Sequence, residues 1–269
     1  MAGMDFGRLR ACLDEDYRLM TAALEATDPA GPVPSCPDWD VSALGFHVAE
    51  VYEYVTELIG TGRTPDDERP LPTETDPVKA VELTYAALTA QFDAREPADA
   101  VPTWYGPDQT VGFWIRRMAH ETAIHRIDAE QAAGLVVNPV PNDLAVDGID
   151  EFLNAFVAYR SVAWRGREAV ARLLDTPDGR PVLVREDGGR AWWLAAFPAG
   201  IAVADLAEAE ANGTDASSVA QTAALTVSGP APEVLAWLWN RSAEPEDVQV
   251  SGDPLALAQF GAFKAVFTR

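Results

Sequence analysis

The feature that most limits the possible folds is a change of hydrophobic period partway along the chain. Up to about residue 158, apolar side chains recur every three to four positions, which places them on one side of a helix. After Asp175 they fall in short runs between turn residues, the pattern of strands. No single layer of one kind accommodates both textures. With 269 residues and 48% hydrophobic content, two domains with real cores are affordable. The expected architecture is α+β: a four-helix bundle within 1–158, then a small α+β domain over 159–269.

The helices can be placed from their stripes. Phe6, Leu9, Leu13, Tyr17, Met20 and Leu24 mark a helix across 4–26. A turn rich in Pro and Gly follows, and Asp40 or Ser42 caps a second helix running to about Gly60. Its stripe is Val41, Leu44, Val48, Val51, Val55 and Leu58, and His47 lies on it. Residues 61–76 and 96–109 read as loops, flanking a third helix from about Asp76 to Arg95. The fourth runs from near Thr110 to about Ala133, with Gly134 as its stop. A further helix spans 142–158, and a weaker helical stretch reaches Leu174. Beyond the Pro177-Asp178-Gly179 turn, 182–185 and 191–194 form a hairpin around Asp187-Gly188-Gly189. Strands are expected at 201–205, 225–227 and 248–250, and helices at 230–241 and 254–267.

Histidine is scarce, with three in the chain, and all three fall in helical text: His47, His120 and His125. His120 and His125 are five apart, about 140° around a helix, so they cannot easily share one ion. Glu121 and His125 are four apart and lie on the same face. Trp114 and Met118 precede them on that stripe, which turns Glu121 toward the inside of the bundle. A carboxylate there is costly unless paired or metal-bound. His47, Glu121 and His125 therefore read as one metal site with an open position, the arrangement of a catalytic zinc centre. The competing reading is a buried ion pair of Glu121 with Arg117 or His125, which leaves His47 unexplained. Asp128 either orients His125 or pairs with Arg126.

Charge narrows the partners. The formal net charge is −22 and the sequence pI about 4.3, which disfavours nucleic acid and anionic membranes over most of the surface. No apolar run is long enough for a membrane helix, and residues 1–10 lack the apolar core of a signal peptide, so a cytoplasmic protein is expected. Cys12 and Cys36, the only cysteines, are too few for a disulfide framework. Cys12 reads as core; Cys36, in Pro34-Ser35-Cys36-Pro37, reads as structural ahead of nucleophilic. An anionic substrate would need a local cation. Arg241 is the candidate, one of four basic residues after Arg185, because a guanidinium suits a carboxylate. A helix-terminus interaction for Arg241 stands beside that reading.

Two segments carry a family resemblance: Val33-Pro34-Ser35-Cys36-Pro37-Asp38-Trp39-Asp40-Val41 leading to His47, and Arg116-Arg117-Met118-Ala119-His120-Glu121-Thr122-Ala123-Ile124-His125-Arg126. Ser228-Gly229-Pro230 through Trp239-Asn240-Arg241 adds a looser match. The chain resembles the mycothiol-dependent maleylpyruvate isomerase family, whose N-terminal domain is similar to DinB/YfiT-like metal-binding bundles. The resemblance implies a divalent metal, usually zinc, on His47, Glu121 and His125. It also implies mycothiol, the low-molecular-weight thiol of actinobacteria, as cosubstrate. The expected function is a metal- and mycothiol-dependent isomerase or thiol transferase, in which a thiol deprotonated by the metal attacks a small electrophile. Partners would be that electrophile and the thiol, with no nucleic acid or membrane, in a monomer or small homo-oligomer. A metal-dependent hydrolase using bound water and a non-catalytic metal-binding or regulatory module are the alternatives.

Overall fold

The computed structural model describes residues 4–66, 74–175, 179–241 and 247–268. Pro177 and Asp178 of the expected turn, and part of the expected 61–76 loop, lie outside the described residues. The chain divides into two compact units, Met4–Val140 and Pro141–Arg269.

The first unit holds four helices: α1 Phe6–Glu25, α2 Val41–Thr61, α3 Pro77–Asp93 and α4 Val111–Ala132. Each starts where a short polar side chain takes up an otherwise unpaired backbone N–H. Asp5 accepts from the Arg8 amide, Asp40 from Ala43, Asp76 from Val78 and Lys79, and Thr110 from Phe113. Gly62 ends α2 at φ 67°, a left-handed turn that favours glycine. Helix α1 packs on α4, and α2 packs on both α3 and α4. Leu9, Leu13, Met20, Leu44, Val48, Tyr52, Val55, Leu88 and Met118 fill the core. At Gly45 a Cβ would lie 2.7 Å from the Pro77 Cβ, so this glycine sets how closely α2 and α3 approach.

Helix α4 is buried along almost its whole length and around most of its circumference. That burial encloses several charges. The Arg126 guanidinium, 1% exposed, donates to Asp16 Oδ1 at 2.9 Å and Glu130 Oε2 at 2.7 Å. It also reaches the Asn138 carbonyl and so ties the chain beyond α4 back to the bundle.

The second unit opens with α5 Asn142–Glu151, which runs into an eight-residue π-helix, Phe152–Tyr159. The expected single helix over 142–158 is thus wider in its second half. Its apolar residues four apart, Phe152 and Phe156, both meet Trp239 edge-to-face, at centroid distances of 5.2 and 5.0 Å. Short helices α6 Arg160–Ala163 and α7 Glu168–Leu174 follow. A boundary at 158/159 assigns α5 to the bundle; instead α5 packs against a helix of its own unit, α10 Ala231–Leu238.

A mixed five-stranded sheet forms the rest of this unit's frame. Its strands are β1 Val182–Glu186, β2 Ala191–Phe197, β3 Gly200–Asp205, β4 Leu225–Gly229 and β5 Gln249–Gly252, in the order β3-β2-β1-β4-β5. The β1–β2 hairpin pairs Val184 with Trp192, as the alternation predicts. Its turn is closed by the Glu186 carboxylate, which accepts from the Gly188 and Arg190 amides at 2.6 and 2.7 Å. Strands β1 and β4 are parallel, and the connection between them contains α8 Leu206–Ala211 and α9 Ala216–Gln221. The closing helix α11 Pro254–Phe267 packs on the π-helix, α7 and β4. The whole is the expected α+β arrangement.

Lys264 of α11 is 6% exposed. It donates to the Trp237 carbonyl at 2.7 Å and lies 3.6 Å from the Trp237 ring centroid. Burial pushes its pKa down to about 8, from 10.5. Between those values the unfolded chain binds more protons at this site than the folded chain does, so stability rises with pH. The difference in unfolding free energy between wild type and Lys264→Met is therefore expected to move in favour of wild type from pH 8 to 10, by roughly 2 kcal/mol. Urea titrations at the two pH values measure it, and a pH-independent difference contradicts the assignment.

Candidate metal centre

The site is built from one residue of α2 and one face of α4. His47 sits six residues into α2, on the stripe that meets α4, with its side chain 33% exposed. Glu121 and His125 are one turn apart on α4, a helix against which both α1 and α2 pack. One ligand atom from each of His47, Glu121 and His125 lies within 4.8 Å of the others. His47 Nε2 is 3.4 Å from Glu121 Oε1, and His125 Nε2 is 3.1 Å from the same oxygen. The two imidazoles meet edge-on, with centroids 4.9 Å apart. The three residues singled out in the sequence converge. His120 is buried on the same helix but is not part of this cluster.

The other glutamate oxygen has a different partner. Arg117 Nη2 donates to Glu121 Oε2 at 2.6 Å, so only Oε1 faces the histidines. Burial alone raises the Glu121 pKa, but Arg117 and His125 outweigh it and hold the carboxyl well below the usual carboxylate range. For His125, burial works toward the neutral ring, yet Glu121 and Asp128 prevail and raise its pKa to about 9. Both ion pairs of the competing structural reading are therefore present. They do not account for His47, whose Nε2 is brought to the same carboxylate oxygen.

The donor set fits a divalent cation. Two imidazole nitrogens and one carboxylate oxygen are the ligand types of borderline metals such as zinc. Three protein donors leave at least one coordination position for another ligand. With His125 neutral, the group Arg117, Glu121, His125 and Asp128 carries one net negative charge, which a cation offsets.

Several neighbours were less legible in the sequence. Asp128 is fully buried, and its Oδ2 accepts from His125 Nδ1 at 2.9 Å. The alternative pairing of Asp128 with Arg126 does not form; Arg126 is engaged by Asp16 and Glu130. The Trp39 ring lies 4.7 Å from the His47 ring and 6.0 Å from that of His125, between centroids. Trp39 and Ser35, which donates to Asp128 Oδ1, belong to the turn before α2. Both lie in the family-like segment, but no spacing rule ties them to α4.

Arg241 follows α10 in the second unit. Asn240 before it adopts φ 60°, and the Arg241 amide donates to the Ala236 carbonyl at 2.7 Å. Its Nη1 donates to the Trp239 carbonyl at 2.7 Å, which is the helix-terminus interaction. The Cys36 thiol lies 4.0 Å from Asp128 Oδ2, whereas Cys12 is buried core.

Comparison with known proteins gives two domain matches. Residues 10–130 match the mycothiol maleylpyruvate isomerase N-terminal domain, and residues 143–259 match the MDMPI C-terminal domain, the partner domain of that isomerase. No curated protein matches. Among solved structures the chain is similar to the mycothiol-dependent maleylpyruvate isomerase and to a histidine-to-alanine mutant of it. Each superposes with a TM-score of 0.58 at 14% identity, over 94% of this chain and 97% of the other. At that identity the likeness establishes the fold, while the two domain matches, end to end along the chain, establish the family. The chain belongs to the mycothiol-dependent maleylpyruvate isomerase family.

Proposed function

We propose that this protein is a metal- and mycothiol-dependent isomerase or thiol transferase acting on a small electrophile. The observation that carries the proposal is the convergence of His47 Nε2, Glu121 Oε1 and His125 Nε2 within 4.8 Å. Family membership supports mycothiol as the thiol. His47, Glu121 and His125 would hold the metal, with zinc the metal that best suits two imidazoles and a carboxylate. A bound divalent cation supplies positive charge that lowers the pKa of a thiol, which free in water is about 8.5 and leaves the sulfur mostly protonated at neutral pH.

The chain's own residues set the conditions for that chemistry. Arg117 holds Glu121 Oε2, so Oε1 is the carboxylate oxygen that would be offered to a bound cation alongside the two imidazoles. The Trp39 ring lies against the His47 ring, with centroids 4.7 Å apart, and would help hold that imidazole in place. Arg241 is the proposed receptor for an anionic group on the substrate, its guanidinium held in place through the Trp239 carbonyl. The supported reaction class is addition of the thiol sulfur to an activated alkene carbon, the electron pair moving onto the conjugated carbonyl. Rotation about the new single bond and expulsion of the thiol complete an isomerisation; loss of a leaving group completes a transfer. Among the described residues no helix is long and apolar enough to cross a membrane. We place the protein in the cytoplasm as a monomer or small homo-oligomer, with no nucleic-acid or membrane partner, in keeping with its charge of −22.

His47→Ala removes a ligand from a part-exposed position, so zinc affinity and turnover of maleylpyruvate-like electrophiles are expected to collapse while circular dichroism stays unchanged. The assay compares wild type and variant with and without mycothiol. Turnover independent of the thiol indicates the hydrolase, and zinc binding without any turnover indicates the non-catalytic module.

Arg241→Ala is expected to lower kcat/KM for an anionic electrophile by roughly 10- to 100-fold, about 1.4–2.8 kcal/mol. A neutral electrophile of similar size should lose little. Equal losses on both substrates assign Arg241 to the helix terminus alone.

A further inference from the structure

The His125 ring presents each of its two nitrogens to a carboxylate: Nε2 to Glu121 at 3.1 Å and Nδ1 to Asp128 at 2.9 Å. A metal ligand must offer a lone pair. For Nε2 to do so in a neutral ring, the proton has to stay on Nδ1. An ionised carboxylate only accepts hydrogen bonds, so Asp128 beside Nδ1 favours that tautomer over the other. Asp128 is fully buried, which leaves no bulk water to substitute for it.

The same carboxylate has a second attachment. Its Oδ1 accepts from Ser35 Oγ, and the Cys36 thiol lies 4.0 Å from Oδ2. Ser35 and Cys36 belong to a closed turn. The Cys36 amide donates to the Val33 carbonyl at 3.0 Å, the Trp39 amide to the Cys36 carbonyl at 2.8 Å, and the Val33 amide to the Trp39 carbonyl at 3.1 Å. Trp39, at the end of that turn, lies against His47. One buried side chain on α4 thus holds His125 and also the turn whose tryptophan contacts the other histidine. Arg126, the nearest basic residue in sequence, is committed to Asp16 and Glu130.

We propose that Asp128 is the positioning residue of this centre: it sets His125 in the Nδ1–H tautomer with Nε2 toward Glu121 and His47, and it fastens the turn bearing Ser35, Cys36 and Trp39 to α4. The proposal rests on His47, Glu121 and His125 being the metal ligands. Asp128 touches neither reactant and acts through His125 and the turn.

The experiment uses the full chain labelled with 15N-histidine, in which three imidazoles are to be assigned, and zinc titration calorimetry on wild type, Asp128→Asn, Asp128→Ala and His47→Ala. In Asp128→Ala, zinc affinity is expected to fall 10- to 100-fold. Asp128→Asn, whose amide oxygen still accepts from Nδ1–H at unchanged volume, should recover part of that loss. In metal-free protein at alkaline pH, wild-type His125 should be held as the Nδ1–H tautomer, and Asp128→Ala should show a mixture. Wild-type zinc affinity together with an unchanged tautomer in Asp128→Ala overturns the proposal. Failure of the metal reading shows separately, as zinc affinity unaffected by His47→Ala; the tautomer comparison on metal-free protein then still decides the role of Asp128.

Discussion

A carboxylate inside a helical bundle is the constraint on which the rest of this structure turns. Taking an ionised Glu121 out of water costs several kcal/mol even after relaxation, on the order of what a small domain has in total stability. The bundle meets that cost with specific partners. Arg117 takes one oxygen, and two imidazoles from two helices address the other. A second charged group, Arg126 with Asp16 and Glu130, sits further along the same helix and is separately satisfied. Helix α4 can therefore pack against α1 and α2 and still carry eight ionisable side chains in close order. Purely structural burial would be served by the Arg117–Glu121 pair alone. The approach of His47 to the same carboxylate oxygen is what that pair does not explain, and it is the observation on which the proposed metal site rests.

Much of this site could be read from residue spacing because helix geometry is local and fixed. Glu121 and His125 four apart must share a face, and His120 five from His125 must leave it. The apolar stripe around His47 put it on the inner side of α2, and the structure places it there. The relation of Asp128 to Ser35 is of another kind. Those residues are 93 positions apart, and their meeting depends on how a proline-rich turn folds back on α4. No periodicity encodes that. The choice of Asp128 partner was also open in the sequence, since Arg126 is nearer along the chain; burial decided it by committing Arg126 to Asp16 and Glu130.

The fold was legible in proportion to the length of each pattern. The four bundle helices have long apolar stripes and side-chain caps, and they appear close to where those signals put them. The β1–β2 hairpin was visible from its Asp187-Gly188-Gly189 turn. Helices α8 and α9 were not anticipated. Each has six residues, and between them only Leu206 is buried, too little to establish a period. The π-helix was missed because phenylalanines four apart suit an ordinary helix equally well, and their partner Trp239 lies more than eighty residues later. The placement of α5 likewise depended on a distant partner, α10, and could not be taken from the texture of its own sequence.

The central claim is that His47, Glu121 and His125 bind one divalent ion. Zinc K-edge X-ray absorption on the zinc-loaded protein tests it most directly. The account predicts one equivalent of zinc with two histidine imidazoles at roughly 2.0–2.1 Å, oxygen scatterers completing the set, and loss of one imidazole in His47→Ala. A spectrum with no imidazole scattering, or one unchanged by His47→Ala, would contradict it.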